Sequence, residues 1–210
     1  MTQSMMDKTC RTFADELAAR KPVPGGGSTS AYVAALGASL CSMVARFSAG
    51  SERFAAYEDD LLQTIESANG IADELMHLVD EDVRAYGLVT AAYGIPRDDP
   101  QRPEAIQSAL HEAAMPPYHI MISCGLTLKL LEDLADKSSR TLLSDVACGA
   151  VFCRAALQGA SLTLFANTTS MKDRARAEEL ERECDSLLAQ WLPRADALAE
   201  RAANAARKRG

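Results

Sequence analysis

Three consecutive glycines, residues 25–27, stand just before a stretch of the chain, residues 31–45, in which no side chain carries a charge. Glycine lets a backbone approach another group closely, and Ser28 offers an oxygen that can cap the free amides of a helix start. A helix that is apolar or small on every face belongs inside a structure. We therefore predict a loop that leads into a buried central helix over residues 28–47 and forms the floor of a ligand site.

The composition restricts the classes of protein to which the chain can belong. A length of 210 residues suits one domain over 1–210, and a net charge of −7 without a basic stripe argues against a nucleic-acid partner. The six cysteines form no Cys-x-x-Cys pair and the three histidines have no metal-ligand spacing, so we expect reduced thiols in a cytoplasmic protein and no metal. No signal peptide is visible, and residues 28–45 are too rich in Ser, Ala and Gly for a membrane span.

Apolar residues recur at helical spacing along the whole chain, and nothing reads as a strand. The pattern predicts an all-α bundle of about six to seven helices, two of them central and rich in small residues, with no sheet. The predicted helices cover residues 5–20, 28–47, 53–93, 104–114, 116–137, 142–165 and 173 to the end, with a frayed tail over 201–210. The prolines at 116 and 117 are expected to begin a new helix. Thr141 or Ser144 is expected to cap the helix over residues 142–165.

Two carboxylates interrupt otherwise apolar or small helix faces. Asp82 falls in the row of apolar residues, here called the seam, along one face of the third predicted helix. Alternatively, Val83 continues this row and Asp82 lies at its edge. Asp145 lies among small residues in the second small-residue helix. Its only role can also be to stabilise the first turn of that helix, where a negative charge is favourable. Tyr86, one turn beyond Asp82, suits the core as well as a site. If these helices meet at the glycine loop, they form a cavity with two carboxylates and helix amides that suits a small polar ligand.

An ordered set of motifs resembles the C-terminal domain of the formiminotransferase-cyclodeaminase family. It begins with residues 22–28 (PVPGGGS), continues through residues 80–86 (DEDVRAY), 91–96 (AAYGIP), 106–110 (IQSAL) and 143–145 (LSD), and ends with Asn167 and residues 170–173 (SMKD). The resemblance extends over about residues 8–195. The family includes free-standing methenyltetrahydrofolate cyclohydrolases of about this length.

The resemblance implies a homodimer that binds a reduced folate and needs no metal or other cofactor. The favoured activity is hydrolysis of 5,10-methenyltetrahydrofolate to 10-formyltetrahydrofolate, because no formiminotransferase domain is attached. The alternatives are a cyclodeaminase that releases ammonia from formiminotetrahydrofolate, and a catalytically altered folate-binding member. The last rests on departures from the family pattern at Ser51, Ser139, Thr141 and Thr169.

The resemblance also assigns expected roles to individual residues. A carboxylate can move protons at the folate nitrogens and complements a cationic amidinium, so Asp82 and then Asp145 are the expected catalytic residues. Amides and hydroxyls of the glycine loop suit the pterin or a glutamate carboxylate. The expected substrate-binding residues are Pro24, Gly25, Gly26, Gly27, Ser28, Tyr86, Ser144 and Asn167.

Overall fold

The computed structural model of the chain describes residues 4–207, and every regular element in that range is helical. The six α-helices are α1 (Cys10–Ala18), α2 (Gly26–Ser48), α3 (Glu58–Gly94), α4 (Arg102–Leu134), α5 (Leu143–Thr168) and α6 (Arg174–Arg207). Short 3-10 helices span Met5–Asp7, Glu52–Tyr57 and Arg140–Leu142. No strand occurs over residues 4–207, which confirms the predicted all-α class.

The first predicted helix, residues 5–20, is divided into a 3-10 turn and α1. Each piece has its own cap: Ser4 Oγ accepts from the Met6 amide, and Thr9 Oγ1 accepts from the Thr12 amide. Asp80 of α3 holds the first piece in place by accepting hydrogen bonds from Ser4 Oγ at 2.5 Å and from the Met5 amide at 2.7 Å. The split therefore follows from a tertiary contact that helical periodicity does not reveal.

The predicted break between residues 114 and 116 is wrong, because α4 continues through Pro116 and Pro117. A proline inside a helix costs about 3 kcal/mol through its missing N–H and the clash of its ring. Burial on both sides of the pair, including Ala114 and Ile120, offsets that cost. The predicted break after α4 is present, although neither Thr141 nor Ser144 caps α5, whose N-cap is Leu142.

Four helices, α2 to α5, form a ring in which each packs against the next and α5 closes back onto α2. Helix α6 lies outside the ring against α4 and α5. The predicted tail is partly wrong, because residues 201–207 belong to α6; residues 208–210 lie outside the described residues. The core lies between the helices of the ring and between α6 and the two helices against which it packs. It is built largely from Ala, Leu and Cys.

The two small-residue helices approach each other closely through glycines. A Cβ atom at Gly37 of α2 would lie 2.7 Å from Cys153 Sγ and 3.0 Å from the carbonyl oxygen of Gly149 on α5. The helices run antiparallel, since Gly159, later in α5, faces Ser30, earlier in α2. This confirms two central helices in backbone contact.

Neither helix is buried on every side, contrary to the prediction for α2. Phe47 of α2 and Leu162 of α5 are 71% and 70% exposed. Helix α2 and the segment Arg140–Thr168 have the length and hydropathy of membrane spans, with 61% and 44% of their most apolar windows buried in the fold. A core helix of a soluble protein has the same properties, so they do not by themselves identify a span.

We expect Gly37→Ala to lower the free energy of unfolding by about 1–3 kcal/mol, because a methyl group there overpacks the contact between α2 and α5. Gly70→Ala is the matched control, since nothing lies within 4 Å of a Cβ at that position of α3. It should raise the unfolding free energy by about 0.5–1 kcal/mol through helix propensity alone. Urea unfolding measures both, and equal gains in the two variants would contradict the close approach.

Candidate functional site

Helix α2 is capped by a residue from another helix. Its N-cap is Gly25, which has no side chain to accept from the free amides, so the predicted capping by Ser28 is wrong. Instead Asp82 of α3 reaches across: its Oδ2 accepts from the Ser28 amide at 2.8 Å and from Ser28 Oγ at 2.6 Å. A carboxylate is favourable at a helix N-terminus, because it satisfies free N–H groups and complements the helix dipole.

The last glycine of the loop is required by this contact. A Cβ atom at Gly27 would lie less than 3 Å from three atoms of the Asp82 carboxylate. At Gly26, by contrast, the nearest such atom is Thr163 Oγ1 at 3.9 Å, an ordinary contact. The close approach predicted from the glycine run is therefore to Asp82, and it is made by Gly27.

Asp82 is half-buried, as its place on an apolar seam indicates, and Val83 beside it is half-buried as well. Burial raises the pKa of the Asp82 carboxyl above its ordinary value, while the two hydrogen bonds from Ser28 act in the opposite direction. Both bonds go to Oδ2. Among residues 4–207 no hydrogen bond reaches Oδ1, which leaves that oxygen for a ligand or water.

A cavity of about 250 Å³ opens beside this carboxylate. Its walls come from the loop before α2, from α3, from α4 and from the last turns of α5. It is lined by Pro22, Val23, Gly25, Gly26, Gly27, Asp82, Tyr86, Val89, Ala113, Thr163, Ala166 and Asn167. Six of the predicted site residues thus meet in one place: the three glycines, Asp82, Tyr86 and Asn167.

The other predicted residues of the loop lie next to the cavity and do not line it. Ser28 is buried behind Asp82, and Pro24 is buried in the loop, where its peptide bond with Val23 is cis. Tyr86 is 46% exposed at the cavity, so its alternative interpretation as a core residue is wrong.

Asn167, in the last turn of α5, is fixed by its own amide. Its Nδ2 donates to the Ala113 carbonyl of α4 at 2.9 Å and to the Thr163 carbonyl at 3.1 Å. Sequence reasoning did not assign Ala113, Thr163 or Ala166 to the site. Helical spacing from Asn167 is the signal that could have found Thr163, which lies one turn earlier in the same helix.

Asp145 and Ser144 lie at the opposite end of α5 from the cavity. At a rise of about 1.5 Å per residue, Asp145 is about 27 Å along the helix from Thr163. The predicted constellation of two acids is therefore wrong within one chain. Ser144 is exposed and lines a separate apolar groove between α5 and α6.

The residues at which the sequence departs from the family pattern do not line the cavity either. Ser51 precedes the 3-10 helix Glu52–Tyr57. Ser139 is the N-cap of the 3-10 helix Arg140–Leu142, which contains Thr141 and comes before α5. Thr169 follows α5, two positions after Asn167, and is exposed. Over residues 4–207, no three His, Cys, Asp or Glu side chains form a group that can hold a metal ion.

The sequence profile of the formiminotransferase-cyclodeaminase family matches residues 9–186. The chain belongs to this family. It is 34% identical to a methenyltetrahydrofolate cyclohydrolase from Methylorubrum extorquens over 188 residues, which cover 88% of this chain and 90% of that relative. A formimidoyltransferase-cyclodeaminase from Rattus norvegicus is 30% identical over 190 residues, but the match spans only 35% of its length.

A solved structure has the same fold. The formiminotetrahydrofolate cyclodeaminase of Thermotoga maritima superposes with a TM-score of 0.83 at 26% identity. The match covers 93% of this chain and 97% of that one. The helical architecture that builds the cavity is therefore shared with a solved structure over almost its whole length.

We expect Asp82→Asn to change how stability depends on pH. Because the folded-state pKa of Asp82 is raised, ionisation of this carboxyl weakens folding, and that loss develops as pH rises through the folded pKa. The unfolding free energy of the unsubstituted protein, minus that of the variant, should fall as the pH rises above about 4 and level off above the folded pKa. Urea titrations at several pH values measure this difference.

Asp59→Asn, which removes an exposed carboxylate from the first turn of α3, controls for the loss of one negative charge. A difference between the unsubstituted protein and Asp82→Asn that rises with pH would show that the hydrogen bonds from Ser28 outweigh burial.

Proposed function

We propose that the protein is an enzyme of folate-dependent one-carbon metabolism that hydrolyses 5,10-methenyltetrahydrofolate to 10-formyltetrahydrofolate. The observation that carries the proposal is the placement of Asp82, a carboxylate with a raised pKa that lines a cavity and has one oxygen free for a ligand. The cyclohydrolase relative supports the reaction, because the match covers 90% of its length.

The charge of the cavity suits this substrate. The methenyl form carries a cationic amidinium between N5 and N10, and the Asp82 carboxylate complements that charge in partly desolvated surroundings. Gly26 and Gly27 supply first-turn amides of α2, which suit a carbonyl or carboxylate oxygen of the folate. Apolar lining from Val89 and Ala166 suits the face of a ring.

Asp82 is proposed to transfer a proton from water to N5 of the folate in two steps. As a general base it takes a proton from water while the water oxygen bonds to the carbon between N5 and N10, and the amidinium accepts the electron pair. The protonated Asp82 then gives this proton to N5. The carbon–N5 bond breaks with its electrons on nitrogen, and the new hydroxyl loses its proton to solvent. One water is consumed, one proton is released, and the formyl group stays on N10.

A second candidate is the cyclodeaminase reaction, in which N10 closes on the formimino carbon and ammonia leaves. The rat relative and the Thermotoga maritima structure support this reaction, because both proteins are named as cyclodeaminases. The Asp82 carboxylate can also move the protons that this reaction requires. Sequence identity favours the cyclohydrolase as the first candidate, at 34% against 30% for the rat relative and 26% for the Thermotoga maritima protein.

We also propose that the protein is a homodimer paired through a surface formed by α2 and α5, here called the α2–α5 face. The exposed residues of α5 include none with a charge: they are Ser144, Cys148, Val151, Phe152, Ala155, Gln158, Leu162 and Ala166. On the neighbouring α2, apolar residues repeat at helical spacing: Leu36 and Phe47 are exposed, and Val33, Leu40 and Met43 are half-buried. An uncharged surface of this length favours a protein partner over water.

A second subunit is the only route by which Asp145 can reach a cavity, because it lies far from the cavity of its own chain. The catalytic role expected for Asp145 therefore depends on the proposed dimer. We propose a cytoplasmic location as well, since all six cysteines are free.

Purified protein should accelerate the loss of the near-ultraviolet absorbance of methenyltetrahydrofolate. Asp82→Asn should lower kcat/KM by about 100- to 10,000-fold, the range for loss of a general acid–base. Glu81→Gln, which removes the neighbouring carboxylate that pairs with Arg84 outside the cavity, should leave the rate unchanged. No acceleration over buffer, together with no ammonia from the formimino compound, would exclude both activities. Folate binding without turnover would then indicate an altered family member.

Sedimentation equilibrium without detergent should give the mass of a dimer. Leu162→Lys places a charge in the α2–α5 face and should shift the protein toward monomer. Leu62→Lys, at a 52% exposed position of α3 outside this face, should leave the dimer intact. A monomeric unsubstituted protein would contradict the proposed assembly.

A further inference from the structure

Two buried prolines inside α4, Pro116 and Pro117, remove donors from the hydrogen-bond ladder of that helix. In an uninterrupted helix the N–H of residue 117 would donate to the carbonyl of Ala113. Proline has no N–H, so this carbonyl is left for another partner. By the same rule, Pro116 frees the carbonyl of Glu112, whose side chain is exposed and does not line the cavity.

The freed carbonyl of Ala113 is used by Asn167, which comes from a different helix. Asn167 Nδ2 donates to it at 2.9 Å and to the Thr163 carbonyl of its own helix at 3.1 Å. Both partners are carbonyl oxygens, so only the amino end of the amide can satisfy them. The orientation of the amide is therefore set by chemistry, and both Nδ2 hydrogens are committed.

The other end of the amide is Oδ1, an acceptor without a donor anywhere in residues 4–207. Asn167, Thr163 and Ala113 all line the cavity beside Asp82. Asn167, a residue that lines the cavity, thus offers a neutral acceptor whose direction is fixed, in addition to the carboxylate of Asp82. Such an acceptor selects ligands that bring an N–H to it, because a ligand without one leaves the oxygen desolvated and unpaired.

We propose that Pro117 is a positioning residue of the site: it leaves the Ala113 carbonyl free to anchor Asn167, whose Oδ1 accepts a hydrogen bond from an N–H on the pyrimidine edge of the folate. The ligand in this inference rests on the proposed function. The 2-amino-4-oxopyrimidine ring of a reduced folate carries a ring N–H and an exocyclic amine, which are donors of the required kind.

The test compares Pro117→Ala with Pro116→Ala. Each variant restores one helix N–H and removes one buried ring, so their melting temperatures should shift in similar ways. Only the N–H at position 117 would share the Ala113 carbonyl with Asn167 and so weaken that anchor. Calorimetric titration with tetrahydrofolate should therefore show about five- to tenfold weaker binding for Pro117→Ala, and no change for Pro116→Ala.

A double-mutant cycle separates positioning from a general effect on the fold. Asn167→Ala removes the acceptor and should weaken tetrahydrofolate binding at least as much as Pro117→Ala does. In the Asn167→Ala background, the further change Pro117→Ala should have no effect, because no amide remains to be positioned. Equal additional weakening in both backgrounds would overturn the positioning role.

The failures of the two proposals are distinguishable. If the unsubstituted protein neither accelerates the loss of methenyltetrahydrofolate nor binds tetrahydrofolate, the proposed function fails and the contact with the pyrimidine edge fails with it. If it turns over methenyltetrahydrofolate but does not bind tetrahydrofolate, only the contact with the pyrimidine edge is overturned. If the protein binds tetrahydrofolate and Pro117→Ala binds as tightly, only the role of Pro117 is overturned. Weakening by Pro116→Ala to the same extent would also overturn it, since that variant leaves the Ala113 carbonyl free.

Discussion

The site depends on one contact, the acceptance by Asp82 of both hydrogen bonds from Ser28. A partly buried carboxylate needs donors, and the first turn of a helix has amides that need acceptors. The contact meets both needs at once and joins α3 to the start of α2. It also determines what surrounds it, because only glycine fits at position 27. With Oδ2 held in this way, the carboxylate is fixed against the cavity.

The opposite side of the cavity depends on how closely α2 and α5 pack. Glycines at 37, 149 and 159 allow the two backbones to approach, and the antiparallel arrangement brings the end of α5 to the start of α2. Thr163 therefore faces Gly26, and Asn167 enters the cavity one turn later. Small residues in these helices position polar side chains that are distant in sequence.

The sequence contained much of the fold and part of the site. Asp82 was found because a charged residue on an apolar seam needs a partner, and the glycine run indicated a close approach. Asp145 interrupted a similar pattern. Periodicity, however, assigns a residue to a face of its helix and does not say which end of that helix lies beside the glycine loop. The continuous α4 was missed because local propensity predicts a break at two prolines, while tertiary packing overrides it. The role of the freed Ala113 carbonyl could not be predicted without its partner in space.

The double hydrogen bond from Ser28 has a stereochemical consequence. With Oδ2 occupied, only Oδ1 can take a proton from water, so for a planar amidinium bound in this cavity the water is activated on one face alone. The tetrahedral carbon formed in the proposed reaction would then have a single handedness. That handedness disappears when the carbon–N5 bond breaks, because the formyl carbon is planar. The site would thus be stereospecific at a centre whose configuration the product does not retain.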